Sequence, residues 1–319
     1  EAYVLDGEKL WCTNGPVADV LIVMAKTPDH EGKGRTRISA FIVERAWPGV
    51  EVTHRCRFMG YNGIQNGLLT FKNVRVPKDN LLWDEGLGLK LALITLNTGR
   101  LTLPATNTAV AKQCLAIARR WASTRRQWGD AVGRHEAVST MVGWIASHTF
   151  AMEAMADYAA ALADAKETDI RLGAAMAQLF CSEIGFQVVD RTLQVRGGRG
   201  YETVASLEAR CDVPFPMERL FREARLNTIV EGSSEILRLF LAREALDPHF
   251  RRAGALVKPE ASFGAKARSA LAAGLYYVPW YLGRWIPALG MPDGLPPSPR
   301  RHWRWARRNA RRLSRRIFH

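Results

Sequence analysis

One acidic residue, Glu231, stands where a catalytic base would be useful. It lies in the stretch NTIVEGSSEIL, residues 227–237, between an apolar run and a Gly-Ser-Ser turn. Ionising a carboxylate among apolar groups is costly, and the same desolvation makes the carboxylate a stronger base. A glutamate that ends a helix in solvent, or that caps a neighbouring helix, is the more common arrangement, so residue type alone leaves both interpretations open.

Two further stretches carry residue types that suit phosphate groups. Arg125 in STRRQWG has a planar guanidinium that binds two oxygens at once. Gly197 and Gly198 in LQVRGGRGY let a ligand approach the backbone closely. Taken separately, the first stretch is more often a helix end capped by its glycine, Gly129, and the second is more often a simple turn.

The elements that position these residues change in type near residue 80. Before that point, short alternating runs separated by Gly, Pro, Asn and Asp predict an antiparallel β unit. Between about residues 86 and 244 the apolar residues recur at helical spacing and predict long antiparallel helices. The predicted spans are 86–126, 136–166, 169–196, 215–230 and 233–246.

The predicted fold class is α+β, with a β domain over residues 1–80, a helical bundle over 81–246 and a basic helical extension over 247–319. The net charge of the 319 residues is +14, and residues 245–319 hold 15 Lys and Arg against three Asp and Glu. The basic character therefore belongs to the extension, and it concerns what the protein binds more than its fold.

The cysteines give no sign of a disulfide framework or a metal site. Five of them are scattered without a CxxC or Cys/His spacing, which indicates reduced thiols in a cytosolic or matrix-like compartment. The first residues alternate like a strand, without a basic start or an apolar signal segment, so the sequence reads as one that begins inside a domain.

The extension combines an aromatic segment with an arginine-rich end. The segment SALAAGLYYVPWYLGRWIPALG is interrupted by Pro279, Arg284 and Pro287, and a membrane span needs about 20 clean apolar residues. Nine arginines lie between Arg300 and Arg316. Three interpretations stay open: binding to an anionic membrane surface, which we favour, packing on the rest of the protein or a partner subunit, and nucleic-acid binding, which we expect least.

Three stretches together resemble the acyl-CoA dehydrogenase family. EKLWCTNGPVADVLIVMAKT is similar to part of its β domain, STRRQWG to its Arg-x-x-Phe-Gly flavin motif, and LQVRGGRGY with REARLNTIVEGSSEI to its C-terminal cofactor and catalytic region. The resemblance runs from residue 1 to about 246 in the family order. It implies a central β domain and a C-terminal four-helix bundle with FAD between them, and an N-terminal helical domain and the start of the β domain outside this sequence.

The resemblance implies removal of a proton from Cα and a hydride from Cβ of an acyl-CoA, which gives a trans-2-enoyl-CoA. Glu231 matches the family's base, with Val230 in place of an aromatic residue and Ser233 in place of threonine. A minority of members carry the base at the position of Gly99, where a glycine cannot act as one. Arg100 matches an arginine near the catalytic centre, although a buried arginine that satisfies helix carbonyls is the alternative.

The same resemblance assigns a set of residues to the cofactor FAD. Trp11 and Thr13 match residues that flank the isoalloxazine ring, although Trp11 by itself would be a strand core residue. Four of the matched positions depart from the family, which has Thr, Phe, Thr and Gln where this chain has Gln127, Trp128, Ser233 and Glu235. The further matches are Arg125, Gln127 and Trp128 toward the FAD of a partner subunit, Gln194, Gly197 and Gly198 in a Gln-x-x-Gly-Gly motif, and Ser233 and Glu235 after the base.

The partners implied by the resemblance are an acyl-CoA, with a long chain expected, an electron-transferring flavoprotein, and further copies of the chain in a homodimer or homotetramer. The expected location is cytoplasmic, at the inner face of the membrane, or the mitochondrial matrix in a eukaryote. Alternative functions are a related flavoprotein, either an acyl-CoA oxidase or a DNA-associated member, and a non-catalytic membrane or scaffold protein. Residues 205–216 are expected to be a surface loop, and the stretch FMGYNGIQNG to be structural.

Overall fold

The structure, a computed structural model, describes residues 2–28, 37–165, 170–286, 294 and 296–316, with the side chains of residues 97 and 98 excepted. The chain forms two compact units, Glu1–Leu241 and Ala242–His319. Parts of the predicted extension, residues 287–293, 295 and 317–319, lie outside the described residues.

Two three-stranded antiparallel sheets form the first part of the larger unit. Apolar residues of both sheets share one core that includes Leu5, Phe41, Val43, Phe71 and Val74. Strands lie where the alternation predicted them, and the structure adds β6, which is too short to show a period. The strand order of the first sheet is β1 (Ala2–Thr13), β5 (Asn66–Pro77) and β4 (Val50–Arg55). The strand order of the second sheet is β2 (Val20–Thr27), β3 (Arg37–Glu44) and β6 (Leu81–Leu82).

Helices make up the rest of the described chain, with one small hairpin, β7 (Arg126–Gln127) and β8 (Asp130–Ala131), between the first two. Short 3-10 turns lie at Lys78–Asn80, Val132–Arg134 and Arg225–Thr228. In chain order the helices are α1 (Gly88–Thr124), α2 (Glu136–Ala165), α3 (Arg171–Arg196), α4 (Gly198–Tyr201), α5 (Val204–Ala209), α6 (Met217–Ala224), α7 (Ser234–Val257), α8 (Phe263–Gly283) and α9 (Pro297–Arg316).

The bundle is built on three long helices, α1, α2 and α3, which pack against one another, while α6 packs on α3. Fully buried Ile145, Met152 and Val188 lie in its core. The helix α7 continues past the predicted end at residue 246 and passes into the second unit, so a four-helix bundle and the three-part division of the chain stay predictions.

One described helix, α3, is long and apolar enough to cross a membrane by length and composition. Half of its apolar window is buried inside the protein, and it contacts both α1 and α2. We therefore assign α3 to the core of the bundle.

Residues 205–216 are not the surface loop that we expected. They include most of α5, whose Thr203 cap accepts a hydrogen bond from the Ser206 amide, and Leu207 is fully buried. Glu202 accepts two hydrogen bonds from Arg210, at 3.0 and 2.8 Å. This anchoring could not be predicted, because a single buried leucine in a short segment has no period.

The second unit contains the rest of α7 together with α8 and α9. The hydroxyl of Tyr277 on α8 lies 2.6 Å from Nδ1 of His249 on α7, and Arg315 on α9 donates to the carbonyl of Arg284 at 3.2 Å. The helix α8 continues through Pro279 to Gly283, so this proline interrupts the clean apolar run of the sequence without ending the helix. A proline removes only one backbone hydrogen bond of a helix, and the turns on either side retain theirs.

We expect Leu207→Ala to lower the free energy of unfolding by about 2–5 kcal/mol, because it leaves a cavity under α5. Urea denaturation measures the change. Glu208→Ala, an exposed substitution in the same helix, is the matched control and should stay within about 0.5 kcal/mol of the unmodified protein. Equal stability of both variants would show that residues 205–216 contribute nothing to the fold.

Candidate active site

Glu231 lies on a strained turn between α6 and α7. The 3-10 turn Arg225–Thr228 ends shortly before it, and its own φ is +56° with Gly232 at +101°. A left-handed backbone costs roughly 1–2 kcal/mol at a residue with a Cβ, and such strain is concentrated at functional sites. The side chain is exposed, so its desolvation would have to come from a bound ligand.

The carboxylate of Glu231 lies directly against Gly99 on α1. A Cβ placed on Gly99 would be 2.5 Å from Oε2 and 3.3 Å from Oε1 of Glu231. Residues 99 and 231, the two positions at which the resemblance places a catalytic base, therefore face each other. Because residue 99 is a glycine, the Glu231 carboxylate occupies the space that a side chain at residue 99 would fill.

Arg100 follows Gly99 and is 8% exposed, with its guanidinium 5.2 Å from the ring of Phe240. Burial lowers the pKa of Arg100, and the negative charge of Glu231 opposes that shift. The arginine thus places a positive charge beside the Glu231 carboxylate, and its place near a catalytic centre stays a prediction.

A chain of buried amides holds the segment that carries Glu231. Asn227 donates to Oδ1 of Asn107 at 2.8 Å, and Asn107 donates to the carbonyl of Leu103 at 2.9 Å, both Leu103 and Asn107 being on α1. The hydroxyl of Tyr61 donates to Oδ1 of Asn227 at 3.5 Å. Tyr61 belongs to FMGYNGIQNG, so that stretch contacts the turn that carries Glu231, and a purely structural role for it stays a prediction.

Gln178 on α3 contacts the same turn from within the bundle. It is 1% exposed, and its Nε2 donates to the carbonyls of Val230 and Glu231 at 3.4 and 3.5 Å. Both bonds are long, but they hold the backbone on either side of the base. Sequence reasoning missed Gln178 because nothing in a helical period distinguishes a buried glutamine that binds a remote carbonyl.

Trp11 and Thr13 lie at the end of β1, where the pairing with β5 is irregular. Trp11 has a φ of +57° and is 69% exposed, so it is not the strand core residue of the simpler interpretation. Asn66, which is 5% exposed, donates to Oγ1 of Thr13 at 2.9 Å, and the Thr13 hydroxyl proton therefore points elsewhere. One aromatic face and one oriented donor result, which are the groups that a flavin ring can use.

Arg125, Gln127 and Trp128 surround the β7–β8 hairpin. The stretch is not a helix end capped by Gly129, because α1 ends at Thr124 and Trp128 and Gly129, both with positive φ, form the two-residue hairpin turn. Trp128 is 87% exposed and lies edge-on to His135. The turn thus presents an indole to solvent with Arg125 at its base.

The turn after α3 has room for a ligand. Gly197 has a φ of +61°, and a Cβ at Gly197 or Gly198 would meet nothing within 4 Å. Gln194 precedes the turn with an exposed side chain, while half-buried Ser233 and exposed Glu235 stand at the start of α7.

The structure groups the predicted residues in three places. Glu231, Gly99 and Arg100 meet at one, and Trp11 and Thr13 form the second with Asn66. The third joins Arg125 to the turn at Gly197, through Trp121, whose ring lies 5.8 Å from the Arg125 guanidinium and 4.6 Å from that of Arg196. The donor set fits FAD: an exposed aromatic plane with a free hydroxyl donor, an open glycine turn and clustered guanidinium groups.

Comparison with known proteins identifies the family. Residues 1–74 match the acyl-CoA dehydrogenase middle domain and residues 86–246 the acyl-CoA dehydrogenase C-terminal domain. The chain belongs to the acyl-CoA dehydrogenase family. Members of this family are flavoprotein oxidoreductases that bind FAD.

Relatives and solved structures of the acyl-CoA dehydrogenase family match different shares of the chain. The probable acyl-CoA dehydrogenase FadE10 of Mycobacterium tuberculosis is 48% identical over all of this chain and 49% of its own length. The very long-chain specific acyl-CoA dehydrogenase of Mus musculus is 33% identical over 75% of the chain and 36% of its own length. An acyl-CoA dehydrogenase from Bacillus anthracis, solved in complex with FAD, has a TM-score of 0.66 and 29% identity over 80% of this chain and 45% of that one. The chain therefore spans about half the length of the FadE10 relative and 36% of the length of the mouse relative.

We expect Gly99→Ala to displace the Glu231 carboxylate without harming the fold, because Cβ would meet only the flexible end of that side chain. Reduction of bound flavin by acyl-CoA should slow about tenfold to a hundredfold. Gly143→Ala in α2 is the matched control, a helical glycine whose Cβ would meet nothing within 4 Å. Unchanged reduction in Gly99→Ala, measured by anaerobic stopped-flow absorbance, would mean that the carboxylate does not work from this position.

Proposed function

We propose that the protein catalyses FAD-dependent α,β-dehydrogenation of fatty acyl-CoA, in fatty acid β-oxidation, with Glu231 as the base. The observation that supports this most is the contact between the Glu231 carboxylate and Gly99 beside Arg100. The turn holds the carboxylate exposed, and large apolar side chains are exposed on either side of it, Ile229 at 53% and Ile236 at 57%. An acyl chain on these groups would desolvate the carboxylate and strengthen it as a base.

The reaction breaks two carbon–hydrogen bonds, and each hydrogen goes to a different acceptor. Glu231 takes the proton from Cα, and the electron pair left there forms the double bond as Cβ loses a hydride. Bound FAD supplies the acceptor for that hydride. The α-proton beside a thioester is a weak acid, so Glu231 must be held within hydrogen-bond reach of it, and Gln178 and Asn227 hold the turn that carries it.

The proposed FAD-binding residues divide into those toward the flavin ring, those toward the FAD of a partner subunit, and a further set. Trp11 and Thr13 would flank the flavin ring, while Arg125, Gln127 and Trp128 would reach the FAD of a partner subunit in a homodimer or homotetramer. Gln194, Gly197, Gly198, Ser233 and Glu235 complete the proposed set. Reduced flavin would pass its electrons to an electron-transferring flavoprotein.

We further propose long-chain substrates. A relative named for very long-chain acyl-CoA is 33% identical over 75% of this chain. Residue 230 is valine where the resemblance places an aromatic residue, and the smaller side chain leaves space for a chain beside the proposed reaction centre. Faster flavin reduction by a short-chain acyl-CoA than by a long-chain one would overturn this part.

Glu231→Gln should leave FAD bound and slow flavin reduction by acyl-CoA by about 10²–10⁴-fold, because the amide cannot accept the α-proton. Anaerobic bleaching of the flavin absorbance in the full-length protein measures the effect. Glu208→Gln, an exposed glutamate on α5, is the control and should bleach like the unmodified protein. Undiminished bleaching by Glu231→Gln would place the base elsewhere.

The same experiment separates the alternative functions. A related oxidase would bleach and then regain its flavin absorbance rapidly in air. A DNA-associated member or a non-catalytic scaffold would show no bleaching with any chain length, and that result would end the dehydrogenase proposal.

We also propose that the second unit binds an anionic membrane surface. On α8, Leu271, Leu275, Val278 and Leu282 are 59–72% exposed and follow one another at four, three and four residues, so they form one apolar stripe. Neither α8 nor α9 contains an acidic residue, and α9 carries nine arginines. A second copy of the chain is a poor partner for this stripe, because its own positive charge would repel that of α9. Anionic lipid complements both the positive charge and the apolar stripe.

Vesicles containing phosphatidylglycerol should carry the protein upward in a flotation gradient, and vesicles of phosphatidylcholine alone should not. Arg308→Gln with Arg312→Gln should weaken flotation about thirtyfold, since each polybasic contact is worth about 1 kcal/mol near such a surface. Leu271→Asp with Leu275→Asp should weaken flotation as well, because this double variant places negative charge on the apolar stripe. Arg119→Gln, an exposed arginine on α1, is the control. Flotation of both double variants at the level of the unmodified protein would contradict the membrane proposal.

A further inference from the structure

One indole, Trp121, lies at the centre of an arginine cluster in the first unit. Its ring centroid is 4.6 Å from the guanidinium of Arg196, 5.3 Å from that of Arg199 and 5.8 Å from that of Arg125. Cations within about 6 Å of an indole face are attracted by the ring quadrupole. The ring thus holds together three groups that would otherwise repel one another.

These arginines come from the two separate segments to which FAD contacts are assigned. Arg125 immediately precedes the β7–β8 hairpin, and Arg196 and Arg199 stand on either side of the Gly197–Gly198 turn. About seventy residues of chain separate the two segments, and Trp121 contacts both of them. A substitution of Trp121 would therefore change the position of Arg125 relative to the Gly197–Gly198 turn.

The cluster is locked from its other side by residues 202–212. Asp212 accepts from Nε of Arg199 and lies 3.1 Å from Arg210, which in turn holds Glu202. The backbone of Asp212 is fixed as well, because its amide donates to the carbonyl of Leu207 at 2.9 Å. Residues 205–216, which were expected to be a surface loop, thus include the carboxylate that fixes Arg199.

The cluster has more positive charge than its acids neutralise. Arg196 is 3% exposed and donates to the carbonyl of Val213 at 3.4 Å, while its Nε is buried without a hydrogen-bond partner among the described residues. Burial lowers the pKa of Arg196, Asp212 opposes the shift, and the neighbouring Arg199 and Arg120 add to it. An excess of fixed guanidinium charge next to an open turn favours a bound anion.

We propose that Trp121 is a positioning residue for the cofactor phosphates, which presets Arg125 and the Gly197–Gly198 turn, and that Asp212 fixes the turn from the opposite side. The proposal deepens the FAD assignment and rests on it. Trp121 need not touch the cofactor, since it acts through the arginines that it holds.

The test is the equilibrium dissociation constant of FAD in the full-length protein, measured by flavin fluorescence at low and high salt. Trp121→Leu should weaken FAD binding at least about tenfold and reduce its salt dependence, and Trp121→Phe should recover most of the affinity, because a phenyl ring keeps the attraction for cations. Asp212→Asn should weaken binding as well, with the bundle core untouched.

Trp144→Leu is the matched control, because Trp144 on α2 stacks on a different arginine, Arg191, at 3.7 Å. If Trp121 has a merely structural role, both Trp121→Leu and Trp144→Leu should lose FAD affinity in proportion to their loss in melting temperature. That result would overturn the inference. FAD binding by Trp121→Leu within twofold of the unmodified protein would overturn it too, with the FAD assignment intact. An unmodified protein that binds no FAD would overturn both.

Discussion

The contact between the Glu231 carboxylate and Gly99 is the constraint that orders the rest of the active site. It requires α1 and the turn before α7 to lie so close together that residue 99 of α1 has room for a hydrogen atom but not for a Cβ. Asn107, two helical turns further along α1, fixes that approach through its hydrogen bond with Asn227. Both amides are almost fully buried, and burial of an amide is tolerated only when it is hydrogen-bonded, so the pair specifies one spacing between the two segments.

Strain and support occur together at this turn. A glutamate in the left-handed region persists only if its surroundings over-determine it. Gln178 supplies part of that support from below the turn and Asn227 supplies it from the preceding residues. Because Tyr61 also binds Asn227, the segment after β4 contacts the same turn, and residues of both the sheet region and the bundle hold Glu231 in place.

Local pattern in the sequence was enough to predict the first five strands and the long helices, whereas the candidate base was singled out by the family resemblance and not by the pattern. What it could not predict depends on pairs that are remote in sequence. Asn66 beneath Thr13 and Gln178 beneath Glu231 are polar residues whose partners lie 53 residues away, and no period records such a pair. The hairpin at Trp128 was missed for a different reason, since its strands are two residues each and a terminal glycine suggested a helix cap.

Arginine has two different physical roles in this chain, and the difference follows from what surrounds it. In the first unit, Arg196 is buried against Trp121 and Phe215 and shares its surroundings with Asp212, so its charge is fixed in place. In the second unit, Arg307 lies against Trp303 and Arg315 against Trp285, but no acidic residue stands on α9 to neutralise the helix. The same stacking on indole therefore orients single guanidinium groups in one unit and leaves a continuous positive surface in the other. A fixed cluster can select the geometry of a phosphate, whereas an uncompensated helix attracts any anionic surface and depends on its apolar neighbours for selectivity.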